Sequence, residues 1–100
     1  MKYLIDIDGV ICNTPLIDGI NMYILAIPIK ENIEKVNRRF DEGHEIVLWT
    51  ARGARTKIDW SELTKKQLEV WGVKYTTLSI NEKPHFDFLI DDKAINIEHL

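Results

Sequence analysis

The chain has 100 residues, 45% of them hydrophobic and 29% charged, and a formal net charge of −3. That length predicts one globular domain over residues 1–100, able to bury roughly 65% of its unfolded surface without disulfides or structural metal. The acidic balance excludes a general nucleic-acid binder, which needs a broad basic field for phosphate backbones. Cys12 is the single cysteine, so no intramolecular disulfide can form and a reducing, cytoplasmic setting is expected. Asp6 and Asp8 interrupt what would be the apolar segment of a signal peptide. The apolar stretch Pro15 to Ile29 is broken by Asp18, Asn21 and Pro28 and is too short to span a bilayer, so no membrane partner is expected.

Lys2 to Ile7 predicts a buried strand, because an apolar run can serve both faces of a central parallel strand. It leads directly into Asp6-Ile7-Asp8-Gly9-Val10. Alternate residues of a strand share a face, so Asp6 and Asp8 are expected side by side where it ends. Val10 to Pro28 predicts a flap near that end, a small hairpin or a loose helical turn. Asn13-Thr14-Pro15 and Asp18-Gly19 are its turn signals. Its apolar residues, with Met22, Tyr23, Ile24 and Leu25 at the centre, read either as ordinary core or as a lid or oligomer contact.

Ile29 to Glu42 predicts the clearest helix, with Ile29, Ile33, Val36 and Phe40 on one face and Gly43 as its stop. Arg38-Arg39 lies on its solvated edge. Glu45 to Trp49 is the second strand and delivers Thr50-Ala51-Arg52-Gly53 at its C-terminal end. Ala51 to Ile58 is a polar, basic loop with Arg52, Arg55 and Lys57; for the two arginines, substrate contact and plain solvation are both open. Asp59 with Glu62 resembles a capping box opening a helix to Trp71, with Trp60, Leu63 or Thr64, Leu68 and Trp71 inward, and Gly72 ends it. Lys74 to Ser79 is a short strand, Asn81 to His85 a loop, and Phe86 to Ile90 a last buried strand ending in Asp91-Asp92.

Strands alternating with helices predict an α/β domain, a mainly parallel sheet with helices packed on it. In such sheets ligands bind off the carboxyl ends of the strands. The polar residues gather at those ends: Asp6 and Asp8, then Thr50, then Asp91 and Asp92, with Lys83 in the loop entering the last strand. Asp6, Asp8 and Asp91 would form an oxygen-rich site suited to Mg²⁺. His44, His85 and His99 are scattered and suggest no zinc site. Thr50 and Lys83 suit a phosphoryl group, and a carboxylate beside a metal can attack phosphorus. The Asp6–Asp8 pair then divides the labour, one staying ionised and the other raised in pKa by its neighbour to carry a proton. The bland alternatives are turn chemistry for Asp6 to Gly9, a helix cap for Asp91-Asp92, and a satisfied hydroxyl and a loop charge for Thr50 and Lys83.

These residues resemble the four ordered motifs of the haloacid dehalogenase (HAD) superfamily: Asp-Ile-Asp-Gly-Val after a strand, Thr50 ending the next, Lys83, and a strand ending in Asp91-Asp92. Trp49 to Arg52, Lys83-Pro84 and Leu89 to Ala94 also resemble small, capless members associated with bacterial polysaccharide biosynthesis. The resemblance implies a three-layer Rossmann-like, HAD-like fold with a four-stranded sheet in the order 3-2-1-4, a flap at 10–28 and no cap domain. It implies Asp6 as nucleophile and Asp8 as general acid/base with a metal-binding carbonyl. Thr50, with Ala51 and Arg52 beside it, and Lys83 would bind phosphate. Asp91 would be a further Mg²⁺ ligand and Asp92 its supporting acid. Val10 stands where Thr is common in the family.

The function expected from this is a Mg²⁺-dependent phosphomonoester hydrolase with an aspartyl-phosphate intermediate, acting on a sugar phosphate or another small phosphorylated metabolite. The alternatives are a phosphatase of a nucleotide or polynucleotide end, a phospho-accepting receiver-like domain, or a non-catalytic domain. An open, capless site also makes residues 15–28 a candidate homo-oligomer contact.

Overall fold

The structure, a computed structural model, describes residues 1–54, 56–80 and 100, with the backbone alone for 88–90. In chain order the elements are β1 (Lys2–Asp6), β2 (Cys12–Asn13), β3 (Leu16–Ile17), β4 (Ile20–Asn21), a 3₁₀ turn at Tyr23–Leu25 and β5 (Ile27–Pro28). There follow α1 (Lys30–Asp41), β6 (Glu45–Thr50), α2 (Ser61–Trp71), β7 (Thr77–Ile80) and β8 (Phe88–Ile90). The result is a small α/β domain with a parallel sheet and two helices.

β1 and β6 pair in parallel from Lys2 opposite Glu45 to Asp6 opposite Trp49. β7 lies parallel on the far side of β6, from Val47 opposite Thr77 to Thr50 opposite Ile80. The backbone of β8 runs parallel beside Tyr3 to Ile5 of β1. Apolar side chains between the sheet and the helices explain the arrangement, because those of the β1 segment and β6 join those of α1 and α2 in one cluster. Ile5 and Ile7 from the β1 segment, Ile46 and Leu48 from β6, Ile33 and Val36 from α1, and Leu68 from α2 pack together. Both helices therefore serve the same face of the sheet. Leu4 and Val47, neighbours in register on the opposite face, are buried as well. A central strand buried on both sides needs the near-continuous apolar run that β1 has.

The predicted elements are found with small shifts at their ends. The strand expected over Lys2 to Ile7 stops at Asp6, although the Ile7 N–H still reaches the Trp49 carbonyl at 3.0 Å. α1 ends with Gly43 at φ +94°, and the His44 N–H returns to the Arg39 carbonyl. Asp59 does not cap α2 itself: its carboxylate accepts the Ser61 N–H at 2.9 Å, and Trp60 occupies the boundary. The third strand begins three residues later than expected, at Thr77. The preceding Thr76 already ties to Ile46 through its N–H and its hydroxyl.

The expected flap divides into two parts. Val10, Ile11 and Cys12 are core, with exposures of 1%, 0% and 0%. They are anchored by α1, whose Asn32 side chain donates to the Val10 carbonyl, and by pairing of Cys12 with Pro28. Only the part beyond them projects. Asp18 and Gly19, both at positive φ, form the two-residue turn of the β3–β4 hairpin. Leu16, Ile17, Ile20, Ile24, Leu25 and Ile27 are exposed on this projection.

Leu48 is fully buried between the sheet and the helices. Leu48→Ala is expected to destabilise the fold by about 2–5 kcal/mol, through lost burial and a residual cavity. Val70→Ala, at a position 70% exposed, should stay within about 0.5 kcal/mol of the parent. Urea unfolding of the two variants against the parent checks both.

Candidate functional site

The parallel register of β1 and β6 brings their C-terminal ends to one edge of the sheet, Asp6 beside Trp49. Beyond Asp6 the chain turns tightly. The Ile7 carbonyl accepts the N–H groups of Val10, Ile11 and Cys12, and this turn holds Asp8 above the end of β6. Asp6 is half-buried at the strand end.

Asp8 is the centre of a dense polar network. Thr14 donates its hydroxyl to Asp8 Oδ1 at 2.6 Å, and Thr50 donates its hydroxyl to Oδ2 at 3.1 Å. Arg52 grips both oxygens: Nε lies 3.1 Å from Oδ2 and Nη2 lies 2.8 Å from Oδ1. This is the fork geometry in which a guanidinium holds a carboxylate most firmly.

Arg52 is the unexpected member. Its side chain is 0% exposed, whereas a charged side chain is rarely buried without partners. Its partners explain the burial. Nη1 donates to Thr64 at 3.2 Å and to Gln67 at 2.6 Å, both on the inner face of α2. Nη2 also lies 3.7 Å from Cys12 Sγ. The Tyr23 ring covers the guanidinium at 4.7 Å and meets Trp60 edge-on at 5.2 Å. Gln67 closes the circuit by donating to the Tyr23 carbonyl at 2.7 Å. Gly53 makes the geometry possible. It turns at φ +85°, and a Cβ there would sit 2.1 Å from the Ile58 carbonyl oxygen.

This network changes the expected electrostatics. Burial pushes the Asp8 carboxyl up, but the Arg52 fork, the hydroxyls of Thr14 and Thr50 and the Arg52 charge outweigh it. The carboxyl is held below its ordinary value, so the expected upward shift at Asp8 does not occur in this arrangement. Burial, and next the negative charge of Asp8, pushes the Cys12 thiol up to about 11.

The structure brings together three of the residues singled out in the sequence: Asp8, Thr50 and Arg52. Thr50 is 1% exposed and its hydroxyl both donates to Asp8 and accepts the Arg52 N–H. Arg52 is neither a solvated loop charge nor a group presented to solvent. Ala51 is exposed, with its carbonyl accepting the Ala54 N–H. Arg55, Lys83, His85, Asp91, Asp92 and His99 lie outside the described residues. His44 stands edge-on to Tyr3, as a half-buried surface residue. Sequence reasoning gave Thr14 only as part of a turn signal and Tyr23 only as part of the flap's apolar centre, and it missed Gln67. The signal for Gln67 was faint but present: a polar residue adjoining Thr64 and Leu68 on the inward stripe of α2.

Among the described residues no group of three His, Cys, Asp or Glu forms a cation site. Among the described residues, the resemblance offers the Asp6 carboxylate and the Asp8 main-chain carbonyl as donors that could hold Mg²⁺, while the Asp8 carboxylate is engaged by Arg52, Thr14 and Thr50. Both are hard oxygen donors, which suits that ion. An open cavity of about 490 Å³ lies off the ends of β6 and β7, lined by Gly53, Lys57, Trp60, Ser61 and Ile80 among others.

Because the Asp8 carboxyl is lowered in the fold, its ionised form stabilises the protein above the ordinary value of 3.8. That stabilisation is lost as the pH falls from there through the lower folded value. Asp8→Asn should therefore lower the urea midpoint at pH 7, and the gap from the parent should narrow as the pH falls below about 4 and close once Asp8 is protonated in the native protein too, leaving Arg52 without an anion in both. Urea titrations across pH test this. Cys12, 0% exposed, should resist a thiol reagent at pH 8 in the native protein and react at once in urea.

No protein-family model and no curated protein matches the chain. The crystal structure of an MCSG target from Vibrio cholerae is similar over 99% of this chain and 86% of that one, with a TM-score of 0.73 and 28% sequence identity. The likeness thus spans the sheet, the flap and both helices, and it concerns the fold.

Proposed function

We propose that the protein is a Mg²⁺-dependent phosphomonoester hydrolase of the HAD type. Its substrate would be a sugar phosphate or another small phosphorylated metabolite. The observation that carries this reading is the placement of Asp8. A carboxylate two residues beyond the nucleophile candidate Asp6 is oriented by three donors at the C-terminal edge of a parallel sheet. That edge is where α/β sheets bind ligands. Turn chemistry alone would not call for a buried arginine and two hydroxyls around that side chain.

In this reading an Asp6 oxygen attacks phosphorus, the bond from phosphorus to the leaving oxygen breaks, and that oxygen takes up a proton delivered through Asp8 or from solvent. Water then attacks phosphorus, the bond to Asp6 breaks, and the proton released by the water passes to Asp8. The ionised Asp8 held by Arg52 is the form suited to that second step. Asp6, the Asp8 carbonyl and Asp91 would hold Mg²⁺, which would supply neutralisation of the negative charge on phosphate and carboxylate. Lys83 would pair with the phosphate and Asp92 would support the site.

The four-strand order 3-2-1-4, the third layer and the HAD-like architecture belong to the same reading. The parallel backbone pairing of Phe88–Ile90 with β1 supports the order. The exposed apolar residues of the hairpin and 3₁₀ turn support a lid or homo-oligomer contact over 15–28. The cavity beside Trp60 offers room for the organic part of a substrate. No helix among the described residues is long and apolar enough to cross a membrane.

Phosphate release from an aryl phosphate and a panel of sugar phosphates, with Mg²⁺ and after chelation, tests the proposal. Mg²⁺-dependent turnover is expected, and Asp6→Asn should reduce it at least about a thousandfold while the circular dichroism is retained. A folded parent that releases no phosphate from any member of the panel sinks the reading. A phosphorylated chain persisting for minutes without turnover would point to a phospho-accepting domain.

A further inference from the structure

All five N–H groups of the Arg52 guanidinium are directed at protein atoms: Asp8 from Nε and Nη2, Cys12 Sγ from Nη2, and Thr64 and Gln67 from Nη1. Such a residue has no donor left for a substrate. It does have leverage over one group. Asp8 hangs from a turn rather than from regular structure, and its side chain is 28% exposed. Without the fork, Thr14 and Thr50 would each hold one oxygen through a rotatable hydroxyl. A planar fork fixes both oxygens and the rotation of the carboxylate at once. Arg52 is itself fixed twice, at its Nη1 edge by Gln67 and over its face by the Tyr23 ring. Gln67 holds both Arg52 and the Tyr23 carbonyl, so the docked flap and the Asp8 carboxylate belong to one hydrogen-bonded assembly.

We propose that Arg52 is a positioning residue for Asp8, with Gln67 and Tyr23 holding Arg52 in place. The role rests on the hydrolase reading above. It concerns the second half-reaction, in which water adds to phosphorus, the phosphorus–Asp6 bond breaks and Asp8 receives the proton of the water. Arg52 keeps the Asp8 oxygens aimed for that transfer and takes no part in the first displacement when the leaving group is a good one. A proton acceptor turned out of line loses much of its advantage, which for general acid–base groups is about 10²–10⁴-fold.

Rapid-quench kinetics with an aryl phosphate separates the two half-reactions. Arg52→Met and Arg52→Lys should slow hydrolysis of the phosphorylated enzyme by about 10- to 100-fold, with formation of that species changed by less than about threefold. Lys keeps the charge and cannot form the fork, so it should not rescue. Gln67→Met, which leaves the fork intact and guards against a variant that fails to fold, should slow the same step by about 3- to 10-fold. In an Asp8→Asn background, Arg52→Met should cause no further slowing, because its effect passes through Asp8. The inference is overturned if Arg52→Lys behaves as the parent, if both half-reactions slow equally, or if Arg52→Met adds to Asp8→Asn. A parent that forms no phosphorylated enzyme and releases no phosphate overturns the hydrolase reading and this role with it, whereas an active parent with any of the previous results overturns this role alone.

Discussion

The ion pair between the buried Arg52 and the half-buried Asp8 is the interaction on which the site depends. A charge taken out of water must be met by an opposite charge and by hydrogen bonds, or the fold loses several kcal/mol. Here the requirement is met from four separate segments. The β1 turn supplies Asp8, the loop after β6 supplies Arg52, α2 supplies Thr64 and Gln67, and the flap supplies Tyr23. Removing one partner of such a pair typically costs about 3–5 kcal/mol, because the other is left buried and unpaired. The same network therefore stabilises the fold and orients the carboxylate.

The pair can form only because the sheet is parallel. Parallel pairing of β1 with β6 puts both C-terminal ends on one edge, so that Asp8 and Thr50, 42 positions apart in sequence, share a hydrogen bond. In an antiparallel pair the two ends would lie at opposite edges. Glycine completes the geometry at Gly53, where no side chain fits between the loop and the Ile58 carbonyl.

The flap owes its two-part character to the same constraint. Val10 to Cys12 are apolar and sit under α1, so they join the core. Tyr23 turns inward onto Arg52 with its ring edge against Trp60. The hairpin between them has no comparable partner in the described chain and leaves Leu16, Ile17 and Ile20 exposed. An aromatic ring over a buried cation thus anchors a segment whose remaining apolar residues face outward.

The sequence by itself determined the α/β alternation, the two helices and the strands β1, β6 and β7. Those features follow from local periodicity, from glycine stops such as Gly43 and Gly72, and from the apolar runs of the strands. It also marked Asp8 and Thr50, because polar residues at strand ends stand out against an apolar background. Arg52 was visible, but as a residue of either substrate contact or solvated loop. Only the tertiary structure decided that it is buried, that Tyr23 and Gln67 hold it, and that Asp8 is lowered rather than raised in pKa. The reason is physical. A pKa shift or a buried charge is set by which distant groups come within about 3 Å, through charge attraction and hydrogen bonds that leave no periodic trace in the chain.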